Sequence, residues 1–230
     1  MIISYKYNFI FIKTQKTAGT SLEICLSKYL GPDDVITPLS PPDEEIRRNI
    51  GARGPQNNKN LSYLPIVKAV WRASIGNRNI FNSHMTLEQL NKLKINISDF
   101  EIVTVSRNPW EVNASLYFYE KNKRAGKVVD DFNEWVMSNG IENFNKLKKN
   151  DKYIADTVLL YGDLNNDYSS WVKKIGLPDE ASELLNNINA KSGVRPKGLD
   201  YFSIYNDASK KLIEEKNKYE IKQYGYIFHD

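Results

Sequence analysis

The stretch YNFIFIKTQKTAGTS, Tyr7 to Ser21, decides the reading of the fold. Tyr7 to Lys13 is a short apolar run rich in Ile and Phe, which predicts a buried strand. A polar turn follows, and from Thr20 to Leu30 the residues Leu22, Cys25, Leu26 and Tyr29 recur at helical spacing on one face. Gly31-Pro32 ends that helix. In the loop, small residues let the backbone pass close to an anion, and the N–H groups and dipole of the helix start favour negative charge there. Thr17, Thr20 and Ser21 add hydroxyls and Lys16 adds a cation, which makes a phosphate cradle in physical terms. It is not a Walker loop, because Lys16 precedes Gly19 and no lysine stands before Thr20 or Ser21.

Further along, Asn79 to Asn82 reads as a short strand leading to His84, and Thr86 to Leu93 as a helix. Glu101 to Ser106 reads as a buried strand. Asn108 then caps a helix with Pro109 in its first turn, running to about Lys121. Asp130 to Lys148 reads as a helix with Phe132, Trp135 and Val136 as its stripe, and Ala155 to Tyr161 as another strand. Helices over Leu164 to Ile175, Ser182 to Ile188 and Asn206 to Gln223 complete the pattern. Residues 31–78 are read as an irregular segment that sets acceptor specificity, with short helices near Pro42 to Asn49 and Leu61 to Trp71.

Strands that alternate with helices and are apolar throughout predict an α/β fold, with a central, mainly parallel sheet flanked by helices. The whole of 1–230 is expected to form one domain. Ligands in such folds bind beyond the carboxyl ends of the strands. Three candidate sites fall there: the loop after Lys13, His84, and Arg107.

Composition narrows the chemistry. Apolar residues make up 41% and charged residues 26%, a globular balance. The net charge of +4 suits an anionic ligand and is far from a nucleic-acid coat. Cys25 is the sole cysteine and His84 and His229 the only histidines, so no metal centre is expected. No window reaches the ~18 consecutive apolar residues of a membrane span. The start lacks a signal-peptide layout, and a cytoplasmic location is the expectation.

Arg107 closes the strand before Asn108-Pro109, and Ser115 lies eight residues further on, about two helical turns along. An arginine fork at a strand end suits phosphate. The pairing of KTAGTS at 16 to 21 with RNPWEVNASLY at 107 to 117 resembles the sulfotransferases that use 3′-phosphoadenosine 5′-phosphosulfate, and looks closest to their carbohydrate branch. The resemblance implies a P-loop-like architecture. It implies that Lys16, Thr17, Ala18, Gly19, Thr20 and Ser21 grip the 5′-phosphosulfate, and that Arg107 and Ser115 grip the 3′-phosphate. The segment DTVLLYGDLNNDYSSWVKKIGLP and the ending YGYIF are also similar to the family. Many members close an Arg-Lys-Gly over the nucleotide. This chain has Arg195-Pro196-Lys197-Gly198, so Arg195 and Lys197 are the matching candidates.

Transfer to a hydroxyl needs a base, and histidine is the residue most often used for that task. In resembling carbohydrate enzymes a histidine after the second strand has that role, which points to His84, with Glu88, Glu111 and Glu120 as alternatives. The expected reaction is in-line transfer to an acceptor hydroxyl on a small molecule or glycan, leaving adenosine 3′,5′-bisphosphate and requiring no metal. Two other functions remain open at this level: a P-loop-type nucleotide phosphotransferase, and a domain that binds a nucleotide or anionic glycan without turnover.

Overall fold

A computed structural model describes residues 1–59, 80–124, 126–188 and 198–229. The strands are β1 (Ile2–Ser4), β2 (Phe9–Phe11), β3 (Val35–Ile36), β4 (Glu101–Ser106), β5 (Lys148–Lys149), β6 (Lys152–Tyr153) and β7 (Thr157–Leu160). Five of them form one sheet in the order β3-β1-β2-β4-β7, and β5 and β6 make a separate hairpin. β2, β4 and β7 run parallel, whereas β1 is antiparallel to both of its neighbours.

Successive side chains leave a strand on opposite faces, and here both faces are apolar. Phe9 and Phe11 join Val103 and Val105 in one core, and Ile10 and Ile12 join Ile102 in a second on the other side. The first core is closed by α1 (Gly19–Ser27), α6 (Leu164–Lys174) and α7 (Glu180–Leu184). Its members include Cys25, whose thiol burial pushes up to about 12. The second core is closed by α3 (Leu87–Lys92) and a 3-10 turn at Asn143–Leu147. α2 (Pro41–Asn49) packs beside α1. A third apolar cluster joins α4 (Pro109–Lys123), α5 (Phe132–Asn139) and α8 (Asp207–Lys216), and α9 (Lys218–Tyr224) follows. The chain is therefore mixed α/β, with a central five-stranded sheet between helices. Among the described residues no helix is long and apolar enough to cross a membrane.

Three expected elements differ, one of them only by a break: the helix expected over Asn206 to Gln223 is interrupted at Asn217, between α8 and α9. Residues 80–82 are not a strand: the N–H groups of Ile80 and Phe81 both donate to the Asn58 carbonyl, at 2.9 and 3.1 Å, instead of joining a ladder. The single helix expected over Asp130 to Lys148 stops at Asn139. Gly140 turns there, where a Cβ would stand 2.9 Å from Ile213 Cδ1, and the Asn113 amide oxygen takes the Ile141 N–H at 2.8 Å. The chain then re-forms as the short 3-10 turn. The helix expected over Leu61 to Trp71 lies outside the described residues.

Candidate functional site

β2 delivers the chain to the carboxyl edge of the sheet, where Ile12 still donates to Val103 at 2.8 Å. Beyond it Lys13 turns inward and pairs with the buried Glu23 of α1. Gly19 makes room for that side chain: a Cβ on it would lie 2.9 Å from Lys13 Cγ. Between the two, Lys16 and Ala18 take left-handed φ angles of 60° and 61°. Residues with a Cβ adopt this region rarely, and such strain of order 1–3 kcal/mol collects at functional sites. α1 then starts at Gly19 with no side chain capping it. The first N–H groups of a helix lack intrahelical partners. Gly19, Thr20 and Ser21 occupy that first turn of α1.

The hydroxyls divide. Thr14 donates to the Val105 carbonyl at 2.8 Å, so in the 2.8 Å contact between Thr14 and Thr17 the proton comes from Thr17. The Thr17 hydroxyl thus holds the loop together. Thr20 and Ser21 line the cleft from the first turn of α1.

Arg107 follows the last residue of β4, and the Asn108 side chain caps α4 by accepting from the Trp110 N–H. The guanidinium is only 4% exposed. Its Nε and Nη2 donate to one Glu111 oxygen at 3.0 and 2.8 Å, and its Nη1 donates to the Lys16 carbonyl at 2.9 Å. The Tyr161 ring lies 4.2 Å from its Cζ. Three of the five N–H groups are engaged in these bonds, leaving two outside them. Ser115 lines the same cleft two turns along α4. Phe118 and Tyr119, three and four residues after Ser115, share its face. The Lys16 ammonium sits 4.2 Å above the Tyr119 ring, and Phe118 lies nearly parallel to Tyr201, 20° between planes.

His84 sits in the turn before α3, whose capping box is formed by Thr86 and Gln89. Its Nδ1 lies 3.3 Å from the Lys13 carbonyl. A carbonyl can only accept, so the contact selects the tautomer with the proton on Nδ1 and leaves Nε2 as an acceptor. Protein atoms crowd the ring and the Lys13 ammonium repels a second charge, which pushes its pKa down to about 4, although the ring keeps an open face toward the cleft.

One cleft of about 990 Å³ collects Lys16, Thr17, Ala18, Gly19, Thr20, Ser21, His84, Arg107 and Ser115. Arg195 and Lys197 lie outside the described residues. Among the described residues, Glu88, Glu111 and Glu120 do not line it. Glu88 pairs with Lys92 at 3.0 Å and Glu111 is committed to Arg107. Sequence reasoning missed Tyr161 to Asn166, which line the cleft from the carboxyl end of β7, and the aromatic wall of Phe118, Tyr119 and Tyr201. The strand-end rule would have found the first group, and the helical spacing from Ser115 two of the three aromatics.

The overall architecture is similar to that of mouse sulfotransferase SULT7A1 in its crystal structure complexed with PAP, with a TM-score of 0.50 at 12% identity over 97% of this chain and 87% of that one. The fold is accordingly a sulfotransferase fold. No family model matches the sequence. Over 87 residues the chain is 38% identical to an uncharacterised protein of Archaeoglobus fulgidus, which is 35% of this chain and 71% of the archaeal protein. The chain belongs to the same family as that protein.

Proposed function

We propose that this protein is a sulfotransferase that moves a sulfuryl group from 3′-phosphoadenosine 5′-phosphosulfate to an acceptor hydroxyl. The observation that carries the reading is the meeting of three separate sequence features in one cleft: the Lys16–Ser21 loop, the Arg107 and Ser115 pair, and His84. Its volume of about 990 Å³ suits a nucleotide together with an acceptor.

The residues present fit such a donor. A helix start without a side-chain cap and Lys16 face one end, and a buried arginine with two uncommitted N–H groups faces the other. Phe118 and Tyr201 offer aromatic surface for a base. The donor supplies an activated sulfuryl group together with its leaving phosphate. Lys16 and the N–H groups of the first turn of α1 would take up negative charge that grows on the departing oxygen. The Lys16 ammonium rests on Tyr119 by a cation–π contact of ~0.5–2 kcal/mol, weaker than its pairing with a phosphate. His84, with Nε2 as acceptor, would take the proton of the acceptor hydroxyl. The likeness of the KTAGTS loop to carbohydrate enzymes favours a hydroxyl on a sugar, and residues 31–78 are the part we assign to acceptor choice. No residue needs to form a covalent intermediate, and Cys25 is core.

The test is direct. Adenosine 3′,5′-bisphosphate should raise the melting temperature more than ATP does, because a ligand bound only by the folded state stabilises it. Radiolabelled donor should then transfer its label to a member of a hydroxyl acceptor panel. Equal shifts from both nucleotides, with no labelled product, would remove the assignment.

A further inference from the structure

Both peptide units that flank Lys16 are held from outside the loop. The Asn143 amide oxygen accepts from the Gln15 N–H at 2.8 Å, and its amide nitrogen donates to the Gln15 carbonyl at 2.9 Å. Arg107 holds the next carbonyl, that of Lys16, at 2.9 Å. The Gln15 carbonyl belongs to the peptide before Lys16, and the Lys16 carbonyl to the peptide after it. A trans peptide points its N–H opposite to its C=O. With both carbonyls drawn aside, the N–H groups of Lys16 and Thr17 are turned the other way. The left-handed φ of 60° at Lys16 is a conformation that the surroundings must impose.

Asn143 is well placed to impose it. It is 3% exposed and sits at the start of the 3-10 turn, which Phe144 and Leu147 anchor in the second core. It does not line the cleft, so it acts only through the loop. We infer that Asn143 is a positioning residue of the donor site, which fixes the peptide before Lys16 so that the anion cradle is formed in advance of the ligand. The inference rests on the donor site proposed above, but its first readout does not.

Two variants test it. Asn143→Ala removes both bonds. Asn143→Asp keeps an acceptor for the Gln15 N–H but, when ionised, faces the Gln15 carbonyl with an oxygen that cannot donate. Protonated, the same carboxyl restores the donor. Hydrogen exchange of the amides over 13–21 in the ligand-free protein should accelerate in Asn143→Ala relative to the β4 amides. Adenosine 3′,5′-bisphosphate should bind each variant at neutral pH about tenfold or more weakly than it binds the wild type. The deficit of Asn143→Asp, taken as a ratio to the wild type at each pH, should shrink as acid protonates the new carboxyl. A merely structural asparagine would give no such acid rescue. Unchanged exchange, or affinities within about twofold of the wild type in both variants, overturns the inference, as does an Asp deficit that ignores pH. Should Asn143→Ala fail to fold, Asn143→Asp carries both measurements. A wild type that binds no nucleotide overturns the donor reading instead, and the exchange rates alone then decide the role of Asn143.

Discussion

Arg107 donates from Nη1 to the main-chain carbonyl of Lys16 at 2.9 Å, although the two residues lie on different strand–helix connections. The bond joins the end of β4 to the loop after β2. In the proposed function these are the two ends of the nucleotide, so the residue given to the 3′-phosphate also shapes the grip on the 5′ side. Glu111 completes the arrangement, since two bonds from the guanidinium fix the plane of the fork.

Arg107→Ala should therefore cost more than one phosphate contact. The expected loss for adenosine 3′,5′-bisphosphate is about 2–5 kcal/mol, the range for truncating one member of a buried charged pair. Adenosine 5′-phosphate, which lacks the 3′ group, should also bind more weakly, by a smaller factor, because the Lys16 carbonyl loses its anchor. The fold should persist, since the abandoned Glu111 side chain is already 31% exposed. Calorimetry with both nucleotides separates the contributions, and an unaltered 5′-phosphate affinity would mean that the tie to Lys16 is energetically silent.

Lys16 and His84 should separate kinetically. Lys16→Ala should slow transfer to every acceptor and weaken donor binding. His84→Ala should leave nucleotide affinity nearly intact while lowering turnover by ~10²–10⁴-fold, the usual weight of a general base. The loss should be smaller for an acceptor with an acidic hydroxyl. Because burial and Lys13 hold the imidazole pKa near 4, the neutral form persists well into acid, and the wild-type rate should fall only as pH approaches that value. A pH profile unchanged by His84→Ala would take the base role from His84.

The strands that carry the site were legible because each is apolar on both faces. Phe9 to Phe11 and Ile102 to Val105 fill cores on both sides of the sheet. β1 and β3 escaped because their apolar runs lack the longer flanking apolar context of Tyr7 to Lys13, and β1 enters the sheet only through antiparallel pairing with both β2 and β3. The β5–β6 hairpin turns on left-handed Asn150 and Asp151, just beyond the expected helix end at Lys148. Within the site, the loop, Arg107 and Ser115 stand at recognisable spacings. Asn143 meets Gln15 across 128 positions, and no local pattern encodes such a contact.

Gly19→Ala tests the packing under the loop. Alanine is ordinarily better than glycine in a helix by about 1 kcal/mol. Here the new Cβ would stand 2.9 Å from Lys13 Cγ, and that side chain cannot swing aside because its ammonium is tied to the buried Glu23. The steric term should win, with a net destabilisation of about 1–3 kcal/mol in urea unfolding. Nucleotide affinity should fall as well, since the strain lands between Lys13 and the first turn of α1. A gain in stability would show that the helical preference outweighs the contact.

Glu220 gives a pH test that does not depend on the reaction. It lies on α9, 2% exposed, and accepts from the Ser106 hydroxyl at 2.7 Å, which in turn meets the Tyr226 hydroxyl at 2.8 Å. This cluster packs the C-terminal segment against the end of β4, next to Arg107. Burial pushes the carboxyl up from 4.5 to about 8, opposed by the hydrogen bonds from Ser106 and the Arg107 main chain. Between those two values the unfolded chain has released the proton while the folded chain retains it. Stability must therefore decline as pH rises through that window, and level off above it once both states are ionised. Glu220→Gln keeps an oxygen for Ser106 and has no proton to lose. Its stability should match the wild type at the acid end and exceed it at the alkaline end, so the difference in urea unfolding free energy should grow between pH 4.5 and about 8. A difference that stays constant across the window would mean that Glu220 ionises at an ordinary pH in the folded protein.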